Sequence, residues 1–103
     1  MPLTPSLAYR RLNRLLWRNR LPKAKIVLVD NSILPTCYGM TLHDDDFVAP
    51  VIFLNLSGKN HWQKTLVHEC LHIAEPALHH GVIFEALVET YWRNAKKNLK
   101  GLK

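Results

Sequence analysis

The sequence predicts a single α+β domain spanning residues 1–103: an N-terminal helix, a small three-stranded sheet, a helix carrying an H-E-x-x-H motif and a C-terminal helix. Three observations predict it. Apolar residues recur at spacings of three and four near both ends of the chain, the mark of helices with one buried face. Between them lie three short runs rich in β-branched and aromatic residues, separated by turn-forming segments. The chain is long enough for one modest core and too short for two.

The first helix opens at Thr4-Pro5-Ser6, where Thr4 supplies a capping hydroxyl and Pro5 suits the first helical position. Ala8, Tyr9, Leu12, Leu15 and Leu16 form its apolar face. Arg10, Arg11, Arg14 and Arg18 gather on the other side, and the helix ends before Pro22. Residues 26–29 are apolar on both faces, as in a covered strand. Residues 38–43 alternate instead, with Tyr38, Met40 and Leu42 on one face and Gly39, Thr41 and His43 on the other. That pattern suits a half-exposed strand at a sheet edge. Asp44, Asp45 and Asp46 make the next turn through aspartate's local hydrogen bonding to the backbone. Residues 51–56 form the third strand, which Ser57-Gly58 ends. The motif helix runs from about His61 until Pro76, and the last helix from about Val82 to Asn98. Phe84, Leu87, Val88, Tyr91 and Ala95 are the core stripe of that last helix, with Glu85, Glu89, Arg93, Lys96 and Lys97 off it.

The chemistry concentrates in His68-Glu69-Cys70-Leu71-His72. Residues four apart on a helix share a face, with Cβ atoms roughly 5–6 Å apart. Two imidazoles so placed can share one zinc ion at about 2.0–2.1 Å each. Glu69 is displaced to the flank of that face, from where a carboxylate reaches water at the metal without being a ligand. Leu66, Val67, Cys70, Leu71, Ile73 and Ala74 surround these polar groups, the composition of a buried helix. Unpartnered imidazoles there would cost roughly 2–7 kcal/mol each, which a bound dication offsets.

A catalytic zinc takes three protein ligands and keeps one position open. A metzincin needs a glycine and a histidine at fixed offsets after His72, and Glu75 does not fit that pattern, which excludes the class. Glu89 has the separation of a glutamate-ligand zincin but falls off the core stripe. Cys37 would give the cysteine–dihistidine set of peptide deformylase, whose glycine- and glutamate-rich signatures are missing. His80, with His79 beside it, sits where the chain turns back after Pro76, and the glycine at position 81 leaves room for a close backbone approach.

Two motifs, residues 65–72 (Thr-Leu-Val-His-Glu-Cys-Leu-His) and His80-Gly81-Val82-Ile83-Phe84, together with the order of elements, resemble the SprT-like zinc metalloproteases, relatives of the Spartan and Wss1 proteases. The resemblance runs from about Leu7 to Trp92, and the second motif matches the family's H-G-x-x-F. It implies a zincin-like fold, zinc held by His68, His72 and His80, Glu69 as the catalytic residue, and action on DNA-associated proteins. The spacer from His72 to His80 is short, and no cysteine-rich zinc ribbon follows the matched region.

The net charge of +6 and pI near 9.6 favour an anionic partner, with nucleic acid first. Arg10, Arg14 and Arg18, with Lys96, Lys97, Lys100 and Lys103, would supply the phosphate contacts. No apolar run reaches membrane-span length, the N-terminus lacks a signal peptide's apolar core, and two distant cysteines imply neither a disulfide framework nor a zinc ribbon. Cytoplasmic residence is the expectation.

These residues support zinc-dependent hydrolysis of peptide bonds, with Glu69 as general base and a substrate strand added along residues 39–42. Tyr38, Tyr91 and His43 are the candidates for stabilising the transition state. A nucleic-acid- or protein-binding module with a non-catalytic zinc is the alternative, although a closed structural site would need a fourth Cys or His. Hydrolysis of a non-protein amide would use the same residues.

Overall fold

A computed structural model of the chain describes residues 4–33, 38–42, 49–56 and 62–98. The elements follow the order α1 (Pro5–Trp17), β1 (Lys25–Val29), β2 (Gly39–Leu42), β3 (Val51–Asn55), α2 (Trp62–Ala74) and α3 (Val82–Asn98). They form a small, compact α+β domain. The expected Asp44–Asp46 turn, the Ser57-Gly58 strand end, the helix start at His61, and Cys37, His43, Lys100 and Lys103 lie outside the described residues.

Helix α1 begins as its sequence dictates. The Thr4 hydroxyl accepts the Leu7 N–H at 3.2 Å, and Pro5 occupies the first turn. The helix closes on Arg18 and Asn19, both left-handed with φ of 52° and 63°. The Asn13 side chain then grips Leu21, accepting its N–H at 2.9 Å and donating to its carbonyl at 3.1 Å. That clamp turns Leu21 into the core and points the chain towards β1. Ala8, Tyr9 and Leu12 are buried as expected, but Leu15 is 40% exposed and Trp17 takes its place inside. Trp17 reaches the ring of Tyr91 in α3, centroid to centroid, at 5.1 Å.

The sheet has the order β1-β3-β2, with β1 parallel and β2 antiparallel to the central β3. Among the described residues both β1 and β2 are therefore edge strands. Among the described residues the helices pack on the face where Ile52 and Leu54 of β3 are fully buried. One expectation changes here. β1 is not a covered strand, since Leu28 is half exposed. In β2 the apolar residues Met40 and Leu42 face outward, and the small and polar Gly39 and Thr41 face the helices. The register explains it: Gly39 pairs with Leu54 and Thr41 with Ile52, so the inward faces align.

Helix α2 is the centre of the domain. It touches β2 and β3 on one side and α1 and α3 on the others. An apolar surface nearly all round suits that position, and Leu66, Val67, Cys70 and Leu71 are completely buried. The helix stops at Ala74, just before Pro76, and a turn leads through Leu78 to α3. In α3 the stripe of Phe84, Val88 and Ala95 is buried as its spacing predicts, with Leu87 and Tyr91 half-buried beside it. No described helix is long and apolar enough to cross a membrane.

Candidate metal centre

Successive residues of an α-helix are rotated by about 100°, so α2 can turn His68 and His72 one way and Glu69 another. The two histidines meet the turn before α3. Glu69, with Thr65 one turn earlier, meets strand β2. One helix thus carries ligand candidates on one face and a carboxylate on the next.

The turn after α2 delivers His80 to the histidine face. The three Nε2 atoms lie 3.2 Å (His68–His72), 3.1 Å (His68–His80) and 2.8 Å (His72–His80) apart. Hydrogen bonding alone does not account for this. Each ring nitrogen is either a donor or an acceptor, so of three mutual contacts at least one pairs like with like and is not a hydrogen bond. A shared cation would satisfy all three nitrogens at once: atoms at these separations lie on a circle of radius about 1.8 Å, close to the 2.0–2.1 Å zinc–nitrogen bond. His68, His72 and His80 are therefore close enough to bind one metal ion.

Phe84 floors the cluster. It is completely buried, and its ring centroid lies 4.8 Å from His68, 4.6 Å from His72 and 5.1 Å from His80. The H-G-x-x-F pattern now has a physical reading. His80 enters the triangle, Val82 and Ile83 face solvent, and Phe84 turns under the three imidazoles. Gly81 is not needed for space: a Cβ there would meet nothing within 4 Å, and its φ lies outside the left-handed region. The expectation of a tight backbone approach at Gly81 is thereby corrected.

Electrostatics favour neutral imidazoles. Burial, then the neighbouring rings of His68 and His80, pushes His72 down to about 4, while Glu85 acts weakly in the opposite sense. Burial and His80 also lower His68. A metal ligand must be neutral in this way.

Glu69 is only 4% exposed. Burial raises its carboxyl above the usual range, opposed by the Thr41 hydroxyl, which donates to Oε1 at 2.7 Å. Gly39 stands against the same helix face: a Cβ at that position would stand 3.1 Å from Glu69 Oε2 and 2.7 Å from Thr65 Cγ2. Beside these groups opens a cleft of about 360 Å³ lined by Gly39, Met40, Thr41, Glu69, His72, Pro76 and His80.

The remaining candidates fall away from this cleft. Glu89 pairs with Lys64 on the surface, so it is not a ligand. His79 is exposed and outside the cluster. Tyr91 packs on Trp17, and Tyr38 is 62% exposed; neither lines the cleft. Cys70 is fully buried, and burial followed by the nearby Glu69 carboxylate pushes its thiol up, which removes it as a thiolate ligand. Thr41, Gly39 and the flooring role of Phe84 are what sequence reasoning missed. The signal for the first two was Glu69 itself, a carboxylate in an apolar helix that needs a donor from a neighbouring element.

No protein-family profile, curated protein or solved structure matches the chain.

Proposed function

We propose that the protein is a zinc-dependent metallopeptidase with a zincin-like arrangement, resembling the SprT-like proteases, in which His68, His72 and His80 hold one zinc ion and Glu69 is the general base. The observation that carries this reading is the convergence of three imidazole nitrogens beside a buried carboxylate at an open cleft. Zinc bound there supplies Lewis acidity, which makes water acidic and polarises a carbonyl.

The chain's own residues do the rest. Glu69 takes a proton from the attacking water and passes it to the leaving amine nitrogen, the work of a general base that becomes a general acid. A carboxyl raised by burial is suited to both halves of that exchange. Strand β2 is an edge and supplies Gly39, Met40 and Thr41 to the cleft wall. An extended peptide paired along it by strand addition is led into the cleft.

Exposed charge supports DNA-associated proteins as substrates. Between Thr4 and Val29 the chain has Arg10, Arg11, Arg14, Arg18, Arg20, Lys23 and Lys25 and no acidic residue. Arg10, Arg14 and Arg18 are exposed, as are Lys96 and Lys97 on α3. The same surface serves the second reading, a nucleic-acid-binding module whose zinc is not catalytic. Against that reading, no fourth Cys, His, Asp or Glu joins the cluster among the described residues. DNA binding that weakens steeply between low and moderate salt is expected of a phosphate contact, and a flat dependence rules it out.

The decisive test compares the zinc-loaded wild type with Glu69→Gln on unfolded casein. The variant is expected to retain zinc and lose turnover by about 10²–10⁴-fold. Unchanged turnover would remove Glu69 from its role.

A further inference from the structure

We infer that Thr41 is the positioning residue of Glu69 and that Gly39 is what lets it act: strand β2 ties down one carboxylate oxygen and leaves the other for the cleft. The inference rests on the metallopeptidase reading for its consequence, and on the geometry alone for the contact.

A glutamate side chain has three rotatable bonds, and a general base is useful only when its free oxygen stays within about 2.6–3.2 Å of the proton it takes. Burial alone does not fix it. In this domain the Thr41 hydroxyl donates to Oε1 at 2.7 Å, a charge-assisted bond from a strand to a helix. The two residues are 28 positions apart, so the bond exists only in the folded sheet–helix pairing. Gly39 stands two residues earlier on the same inward face of β2, against Oε2 and Cγ of Glu69. A side chain there would drive either the strand or the carboxylate away. The inverted strand, with its apolar residues outward and its small and hydroxyl residues inward, is thus shaped to the carboxylate. An apolar residue in place of Thr41 would leave Oε1 buried without that donor.

Two measurements on the full chain test this. In chelator-treated protein, unfolding midpoints are compared for wild type, Thr41→Val, Glu69→Met and the double variant. Thr41→Val is expected to lower the midpoint by several degrees in the presence of Glu69 and to have little effect in the Glu69→Met background. Equal effects in both backgrounds overturn the contact. In zinc-loaded protein acting on unfolded casein, Thr41→Val is expected to lower kcat at least tenfold with KM within twofold, and Thr41→Ser to stay near wild type. Turnover of Thr41→Val within twofold of wild type, or a Thr41→Ser variant as impaired as Thr41→Val, overturns the positioning role. Absence of casein cleavage by the wild type counts against the metallopeptidase reading instead, and the contact then stands or falls on the unfolding comparison.

Discussion

His80 Nε2 lies 2.8 Å from His72 Nε2, although a helix end, Pro76 and a turn separate them in the chain. Of the three contacts in this cluster at least one pairs two donors or two acceptors, and a cation held by all three nitrogens would relieve it. Binding such a cation would be coupled to the stability of the fold. Adding zinc to the chelator-treated protein is expected to raise its melting temperature, increasingly so at higher zinc concentration. A melting temperature indifferent to both zinc and chelator contradicts the site.

The pH dependence of the metal-free protein has a defined sign. His72 is held at about 4 in the folded state against an ordinary 6.5, so the unfolded chain binds protons there that the folded chain refuses. Its contribution to stability is complete above about 6.5 and is lost as the pH falls towards 4. Glu69 works oppositely: its raised carboxyl favours the folded state in acid and loses that contribution as the pH rises through its folded value. In chelator, His72→Gln is expected to flatten the loss of melting temperature between pH 7 and 5, and Glu69→Gln to steepen it. Melting curves across that range check both signs.

Gly39 is crowded by Thr65 and Glu69, so Gly39→Ala is expected to destabilise by about 1–3 kcal/mol, the usual range for an overpacked site. The nearest obstruction is Thr65 Cγ2. Thr65→Ser removes that methyl group and is expected to restore part of the loss. Denaturant unfolding of the two single variants and the double variant decides it, and simple additivity would mean that the crowding is not where the structure places it.

Phe84 is buried under all three imidazoles. Phe84→Ala is expected to cost about 3–5 kcal/mol of stability, as for other buried aromatic truncations. It also removes the ring that the three imidazoles pack against, so zinc affinity is expected to fall with it. Urea unfolding and a competitive zinc titration measure the two effects separately.

Much of this was legible in the chain because local rules and the global fold agree. Thr4 and Pro5 begin α1, Pro76 ends α2, and the stripe from Phe84 to Ala95 is buried in α3, each for a reason confined to a few neighbouring residues. His68 and His72 share a face by helical geometry alone, and His80 joins them at the turn into α3. What the sequence hid depends on pairing across distance. The inward turn of Gly39 and Thr41 follows from the register of β2 on β3 and from a carboxylate that arrives from another element. An alternating strand shows that it has two faces, and only the partner decides which one is buried. Leu15 is exposed although its spacing placed it on the apolar face, and the buried Trp17 packs against Tyr91 of α3.

The most direct measurement is the zinc content of the purified chain beside His80→Ala and His79→Ala. One zinc per chain is expected for the wild type and for His79→Ala, and loss of zinc on dialysis for His80→Ala. Full retention of zinc by His80→Ala would contradict the three-imidazole centre on which the proposed hydrolysis depends.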